Sequence, residues 1–478
     1  MKNFLVVLFL VAVCAPAAAQ PIFRRGGFQF AFTSDSVLQS DYFYATPDSG
    51  SRFKVAVPSL LQGRVETGNG KTGASSQMYV IPTLGFKSGN FRGEAYLGGA
   101  LEQNPLNNSF HSYGFGQRPV DSSSAKAHGH LVPGGVITYT PNYHFSFSAG
   151  YDKNFIGEGY YSLFLSDNAS NNAFFKASTS FWKVKYSVMY SALENIHSYQ
   201  APNQLQTNKY STTHVISLKP TKWLEVVLFE SIVWQNKDSL NTRGFDLNYF
   251  NPVIFYRPVE YSLGSADNAM LGGGFNFRPA KNFMVYSQVM LDEFLLKEML
   301  AGNGWWANKW GVQGGFKWYN VFDIQGWNLL GEVNVVRPYT YSHGTNNTNY
   351  GHHYSSLAHP WGANFYQAVM ISQYRRGKHR LVVEAQAGQK GYDAQALRSY
   401  GGNLFVPYGY KIRDYGNSIA QGTKTTIATA SVLYGYTFSD AMNLEAFGSA
   451  GFSKLGSDNR MIFQFGLRTP LFNRYGNF

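Results

Sequence analysis

Three tryptophans that lie close together in the chain are the side chains best suited to binding a sugar. Trp305, Trp306 and Trp310 belong to a set of nine tryptophans, all between Trp182 and Trp361. An indole ring stacks on the C–H face of a sugar ring and buries apolar area, while the sugar hydroxyls keep polar partners. On a strand Trp305 and Trp306 would point to opposite faces, so at most one of them could face the lumen, whereas Gly304 just before them allows a loop in which both rings are free. The alternative interpretation, anchoring at a membrane–water interface, also suits tryptophan.

Two arginines and three carboxylates form a second group of candidate binding residues. Arg257 and Arg337 each precede a proline, which restricts the backbone before it to an extended conformation. A guanidinium group can hold a carboxylate with two parallel hydrogen bonds. That carboxylate would come either from an acidic ligand or from the chain itself, where the candidates are Asp246, Asp292 and Glu332. In the second case the charges form a structural ion-pair network, which is the ordinary arrangement of charges inside a membrane protein.

Standard enzyme and metal-binding motifs are missing from the sequence. It contains neither G-x-S-x-G nor H-E-x-x-H. Five histidines fit no metal-ligand spacing, and we interpret them as surface-loop residues: His128, His130, His352, His353 and His359. We therefore predict a protein that is not an enzyme and that uses no cofactor and no metal ion.

Alternation of apolar and polar residues recurs along the whole chain and predicts the elements that position these groups. Phe145, Phe147 and Tyr151 alternate with small or polar residues, and the stretches 182–190, 379–388 and 463–468 repeat the pattern. A period of two is typical of a strand with one apolar and one polar face. The segments approach the length at which a tilted strand crosses a membrane, about 9–11 residues. The chain has 17% aromatic and only 14% charged residues, and we predict an all-β fold, a transmembrane antiparallel β-barrel.

The connections between these segments are of two kinds. Pro279-Ala280-Lys281-Asn282 has the form of a tight periplasmic turn, whereas residues 102–134, 191–213, 342–364 and 390–423 suit long extracellular loops. At roughly 25 residues for each strand and its connection, we predict about 14–18 strands. A secreted β-sandwich or propeller is the alternative. Residues 292–301 have apolar residues at helical spacing, with Asp292 placed to cap a short loop helix and Gly302 to end it. A strand is the competing prediction for this stretch.

The N-terminus has the features of a secretory signal peptide. Lys2 precedes a short apolar run, and Ala17-Ala18-Ala19 supplies the small residues that a signal peptidase requires. We predict a signal peptide over residues 1–19 and one barrel domain over residues 20–478, located in the cell outer membrane. The formal net charge is +12, and we expect anionic partners, either membrane lipids or an acidic glycan. We predict no nucleic-acid partner, because the basic residues are scattered rather than clustered in a run.

Several blocks in the middle of the chain resemble a known family. Residues 152–169 read DKNFIGEGYYSLFLSDNA, and residues 243–258 read RGFDLNYFNPVIFYRP. Shorter blocks follow in the order LDEF (291–294), GWWANK (304–309), VRPYTYS (336–342) and LAHP (357–360). The blocks resemble Bacteroidota outer-membrane proteins related to the capsule-assembly protein Wzi and the gliding-motility protein RemB. The resemblance is specific over residues 152–362 and vague elsewhere, and it implies a barrel concerned with surface polysaccharide or with gliding and adhesion.

Three functional hypotheses follow from these patterns. The first is a barrel that binds or organises surface polysaccharide, in capsule attachment or in gliding and adhesion. The second is a porin-like channel, which requires an open lumen. The third is an outer-membrane hydrolase whose carboxylates come from different strands. The identity of the glycan and the oligomeric state do not follow from the sequence.

Overall fold

The computed structural model describes residues 52–68, 70–102, 110–111, 118–119, 128–195, 207–237, 244, 246, 249, 267–353, 355–394, 398–439 and 444–469. The predicted signal peptide lies outside these residues. Within the described ranges, no helix is both long enough and apolar enough to cross a membrane.

Eighteen antiparallel strands form a closed barrel, which confirms the predicted fold class at the upper end of the predicted strand number. The last strand pairs with the first, with Arg468 opposite Leu60, and this pairing closes the wall. The strands are β1 (Arg52–Ala56 and Ser59–Gly68), β2 (Lys71–Val80 and Thr83–Ser88), β3 (Phe91–Glu102), β4 (His128–Tyr139), β5 (Phe145–Asp152), β6 (Asn172–Phe181), β7 (Val184–Asn195), β8 (Thr207–Leu218), β9 (Leu224–Gln235), β10 (Asn268–Ala280), β11 (Phe283–Leu291), β12 (Trp310–Trp318), β13 (Trp327–Val336), β14 (Phe365–Arg376), β15 (His379–Tyr392), β16 (Thr423–Ser439), β17 (Leu444–Leu455) and β18 (Asp458–Arg468).

The connections contain a few short elements. Among the described residues they are the helix α1 (Leu296–Ala301), the 3-10 turns Val321–Asp323, Asn346–Thr348 and Tyr408–Tyr410, and the two-residue strands Phe110–His111, Arg118–Pro119, Gly351–His352 and Ser355–Ser356.

The alternation predicted from the sequence decides which face of each strand points outward. Phe145 and Phe147 are each 37% exposed on the outer wall, whereas Ser146 and Ser148 between and after them are buried. The stretch around Phe463 follows the same rule, with its aromatic residues outside. An apolar outer face and a polar inner face are the arrangement that a bilayer requires of a barrel.

The two ends of the barrel differ in the length of their connections. At one end, short turns such as 281–282 and 377–378 join neighbouring strands, as predicted for the stretch around Pro279. At the other end lie the longer connections 153–171, 292–309, 337–364 and 393–422. We call this second end the long-loop end. Short turns on one side and long loops on the other are the usual polarity of an outer-membrane barrel.

The helix predicted near residue 292 is present, but its predicted cap is wrong. α1 begins after Leu295, which makes no side-chain capping bond, and ends at Gly302 in the left-handed conformation, as predicted. Asp292 lies three residues too early to cap it. Its carboxylate is buried and accepts a hydrogen bond from the backbone N–H of Tyr341 at 2.7 Å. The carboxylate of Asp292 is therefore bonded to the backbone of the connection 337–364 and not to the first turn of α1.

One part of the outer wall is covered by protein rather than exposed. Leu228 is 44% exposed on the outer face of β9, but Ile232 and Trp234, which share that face, are fully buried. They pack against Tyr249, whose ring centroid lies 4.9 Å from that of Trp234. Tyr249 belongs to the connection 236–267, and its side chain covers this part of the outer wall at the long-loop end.

Candidate functional site

The connection between β5 and β6 folds into the barrel. Every residue from 153 to 171 is buried except Asn168, which is partly exposed. We call this stretch the plug segment; it carries most of the first family-like block. A segment without regular secondary structure needs hydrogen-bond partners for its backbone when it is buried, and the polar inner faces of the strands supply them.

Glu332, on the inner face of β13, holds the plug segment in place. Its Oε2 accepts hydrogen bonds from the backbone N–H of Tyr160 at 2.7 Å and from the hydroxyl of Tyr286 at 2.8 Å. Its Oε1 accepts from the backbone N–H of Tyr161 at 3.2 Å and from the amide of Asn334 at 2.9 Å. We call Glu332 and these four donors the lumen clamp. Glu332 is only 2% exposed, and its carboxylate is bonded to groups of the protein itself.

Further contacts attach the plug segment to the wall on several sides. Lys317 and Arg278 flank the carboxylate of Glu158, with N–O distances of 3.4 and 3.6 Å. Farther around the wall, on β15, Gln386 accepts a hydrogen bond from the hydroxyl of Tyr161 at 3.0 Å. Pockets between the plug segment and the wall have room for about one water molecule each. The plug segment therefore packs closely against the wall along these contacts.

A second connection, residues 337–364, packs on the plug segment from the long-loop end. The hydroxyls of Tyr341 and Tyr350 donate to the carbonyls of Leu163 and Phe164 at 2.9 and 2.8 Å. Three lysines from separate parts of the barrel, the first two buried and the third partly exposed, donate to backbone carbonyls of this connection: Lys209 to Asn349, Lys309 to Ser342, and Lys390 to Trp361. These attachments hold residues 337–364 as a platform under the other loops.

Asp292 is attached to this platform by the hydrogen bond that it accepts from the backbone N–H of Tyr341. Its Oδ2 lies 3.5 Å from Nζ of Lys309, and both side chains are fully buried. Burial raises the pKa of Asp292 to about 6, and the charge of Lys309 opposes the rise. This buried pair matches the structural ion-pair interpretation of the charged candidates.

A partly exposed group of aromatic and basic side chains lies above the platform. The ring centroid of Trp306 is 6.3 Å from that of Trp305 and 4.7 Å from that of Tyr408. Nζ of Lys411 lies 4.7 Å from the Trp306 ring, within the range of a cation–π contact. We call Trp305, Trp306, Tyr408, Lys411 and Arg337 the rim cluster. All five are partly exposed.

Two connections meet to form the rim cluster. The backbone N–H of Trp306 donates to the carbonyl of Asp414 at 2.8 Å, and that of Asn417 donates to the carbonyl of Gly304 at 2.9 Å. Gly304 has a φ of +71°, and a Cβ there would lie 2.7 Å from the backbone nitrogen of Asn417. As predicted, Gly304 places the following tryptophans in a loop, since neither lies in a strand.

Arg337 lies at the edge of the rim cluster, and its side chain makes one hydrogen bond to the described residues. Its Nη2 donates to the carbonyl of Trp305 at 3.3 Å. Its Nε is buried without a hydrogen-bond partner, and no carboxylate of the described residues forms an ion pair with it. The backbone is firmly held, because its N–H donates to Trp310 at 2.9 Å and its carbonyl accepts from Thr340 at 2.9 Å.

The remaining predicted residues are separated from this group or lie at its border. Trp310 is the first residue of β12 and is partly exposed. Asp246 is partly buried in the connection 236–267, where its carbonyl accepts from the N–H of Tyr249 at 3.1 Å. Arg257 lies outside the described residues. The eight predicted residues therefore do not form one site, because Glu332 is bonded to the plug segment and Asp292 to the platform.

Sequence analysis missed Tyr408 and Lys411, and it misplaced two histidines. The signal for the first pair was the run Tyr408-Gly409-Tyr410-Lys411, which presents aromatic and basic residues side by side. His352 and His359 are buried in the platform, where the sequence analysis expected surface-loop residues. The described parts of the chain contain no group of three His, Cys, Asp or Glu residues able to hold a metal ion.

Comparison with known proteins supports the fold. No family model matches the chain, and no curated protein is significantly similar to it. Among solved structures it is similar to Wzi of Escherichia coli, described as an outer membrane protein involved in group 1 capsule assembly and a carbohydrate-binding β-barrel. The sequences are 12% identical, 87% of this chain and 85% of Wzi are covered, and the TM-score is 0.54. The chain thus has the fold of an outer-membrane β-barrel.

Two solved structures of Pseudomonas aeruginosa are similar at a lower level. OprD is 9% identical with a TM-score of 0.44, and 90% of this chain and 98% of OprD are covered. OccK8 is 9% identical with a TM-score of 0.47, and 88% of this chain and 98% of OccK8 are covered.

Proposed function

We propose that the protein resides in the outer membrane and binds a surface polysaccharide through the rim cluster, at the extracellular end of the barrel. The observation that carries this proposal is the partly exposed pair Trp305 and Trp306 with Tyr408 and Lys411 beside it. Stacked aromatic faces bury the C–H surface of a sugar, and neighbouring donors meet its hydroxyls. The carbohydrate binding described for Wzi supports the same proposal. We favour capsule attachment; a role in gliding or adhesion rests on the sequence resemblance.

The lumen of the barrel supports binding over conduction. A porin-like channel needs a continuous water-filled path, and the plug segment and platform fill the region that they cross. Hydrolysis needs carboxylates that reach the substrate. Glu332 and Asp292 are buried and bonded to the chain. Neither group is placed to act as an acid or base on a glycan.

Single tryptophan substitutions test the proposal. In Trp306→Ala we expect binding of the polysaccharide extracted from the producing cells to weaken about tenfold, the effect of losing roughly 1.4 kcal/mol of stacking. Calorimetry in detergent measures the affinity. The migration of unboiled protein on a gel shows whether the barrel has closed.

Trp318→Ala is the matched control, because Trp318 ends β12 on the outer wall, away from the long-loop end. Equal affinities of wild type and the Trp306 variant would overturn the proposed site. Failure of the wild type to bind the polysaccharide would overturn the proposed function.

A further inference from the structure

Arg337 differs from Lys411 and Lys309 in having no acidic partner among the described residues. Lys411 has Asp414 at 3.4 Å, and Lys309 has Asp292 and Glu293 at 3.5 and 3.3 Å. Arg337 makes one described side-chain hydrogen bond, to the carbonyl of Trp305. A guanidinium group carries five N–H donors in a planar fork, so most of its hydrogen-bonding capacity stays unused by the described residues.

The fold fixes the position of Arg337, whose side chain carries these unused donors. The backbone of Arg337 is bonded on both sides, to Trp310 and to Thr340, and Pro338 follows it directly. The side chain reaches the backbone carbonyl of Trp305, so the guanidinium lies against the loop that carries the two tryptophans that we assign to sugar stacking. A charge held in advance costs little entropy when a ligand binds.

We propose that Arg337 is an anion subsite of the rim cluster, and that the bound polysaccharide is acidic, with a carboxylate on a sugar next to the stacked one. This inference rests on the proposed function and narrows its ligand class to glycans that contain uronic acids or comparable carboxylated sugars. The planar fork matches a carboxylate with two parallel bonds, an arrangement that lysine does not reproduce. Partial burial of Arg337 limits the screening of such a pair by salt.

Carboxyl reduction of the polysaccharide separates the inference from the proposed function. The probes are the polysaccharide extracted from the producing cells and the same material after its carboxylates have been reduced to primary alcohols. For wild type we expect the native form to bind about tenfold more tightly, or better, the effect of one charge-assisted bidentate contact. In Arg337→Gln we expect this preference to disappear while the reduced form keeps its affinity. Arg337→Lys should restore only part of the preference.

Arg413→Gln is the control for general loss of positive charge, because Arg413 is exposed in the connection 393–422 and bonds to Gln421 instead of to the tryptophan loop. It should keep the preference for the native form. Equal binding of the two forms by wild type would overturn the acidic ligand class and leave the proposed function standing. A preference that survives in Arg337→Gln would overturn the subsite.

Discussion

Glu332 and Arg337 lie five positions apart at the end of one strand, yet the fold uses them in opposite ways. Glu332 points into the barrel and accepts four hydrogen bonds, two from the plug segment, one from Tyr286 on β11 and one from Asn334 on its own strand. Arg337 lies just beyond β13 and has one described side-chain bond. A buried charge whose partners all come from the chain stabilises the structure. A partly exposed charge with unused donors beside aromatic rings is suited to a ligand.

Replacement of the clamp carboxylate should produce the largest effect on stability. In Glu332→Leu, four donors lose their acceptor in a buried environment, and we expect the free energy of unfolding to fall by about 3–5 kcal/mol. Glu332→Gln keeps the shape and one acceptor oxygen, so its loss should be smaller. Denaturant titration of the detergent-solubilised barrel measures both. An unchanged midpoint in Glu332→Leu would mean that the plug segment does not depend on the clamp.

Arginine substitutions on the two faces of the wall test which face meets lipid and how closely the inner face is packed. Phe463→Arg places a charge on the lipid-facing side and should cost about 2–4 kcal/mol near the membrane midplane. Gln464→Arg points inward next to partly exposed residues of β17 and should cost less. Gln386→Arg also points inward, but it meets Tyr161 and Gln367, so we expect it to damage assembly. Assembly yield and heat-dependent migration distinguish these outcomes, and equal damage by the first two would show that the strand phase is wrong.

Protonation of two buried histidines should destabilise the platform, residues 337–364, as the pH falls. Burial lowers the pKa of His359 to about 3, and burial with the nearby charge of Lys309 lowers that of His343 to about 4. Each is neutral when folded, while the unfolded chain takes up protons below its ordinary pKa near 6.5. The contribution of these two histidines to stability is therefore complete above pH 6.5 and decreases as the pH falls toward 4, by about 2 kcal/mol per histidine at pH 5.

The pH dependence of thermal unfolding checks this sign. Nδ1 of His359 accepts the N–H of Trp361 at 3.0 Å, so a proton on that nitrogen would face another donor. His359→Gln should therefore lose part of the dependence between pH 7 and 5. The same pH dependence in His359→Gln as in wild type would contradict the proposed neutral state of His359.

The smallest effect on stability is expected at Gly304, and it should act on the rim cluster alone. A Cβ in Gly304→Ala would lie 2.7 Å from the backbone nitrogen of Asn417, so the two connections must separate. We expect polysaccharide affinity to fall several-fold at unchanged barrel migration. Gly302→Ala is the matched control, because Gly302 also has a positive φ but has no atom within 4 Å of a new Cβ. Equal affinities of the two variants would show that the approach of the loops does not position the tryptophans.

Local geometry was sufficient to predict the wall of the barrel from the sequence. Side chains alternate with a period of two on any strand, so the orientation of Phe145 and Ser146 follows from their order alone. The helix ending at Gly302 and the turn after Pro279 are local in the same sense. The strand number was predicted only as a range, because the lengths of the connections vary along the chain.

The roles of the candidate residues were decided by tertiary structure. Nothing near Tyr160 in the chain indicates that its N–H will find Glu332, which lies 172 positions away. Trp306 likewise meets Tyr408 only because two long connections pair above the platform. Closing a barrel brings distant strands into one interior, and the partners of each buried charge depend on register around the whole wall. The sequence alone determined which residue types were available and which face of a strand they occupy, while the closed barrel determined which of them became structural and which stayed exposed at the rim.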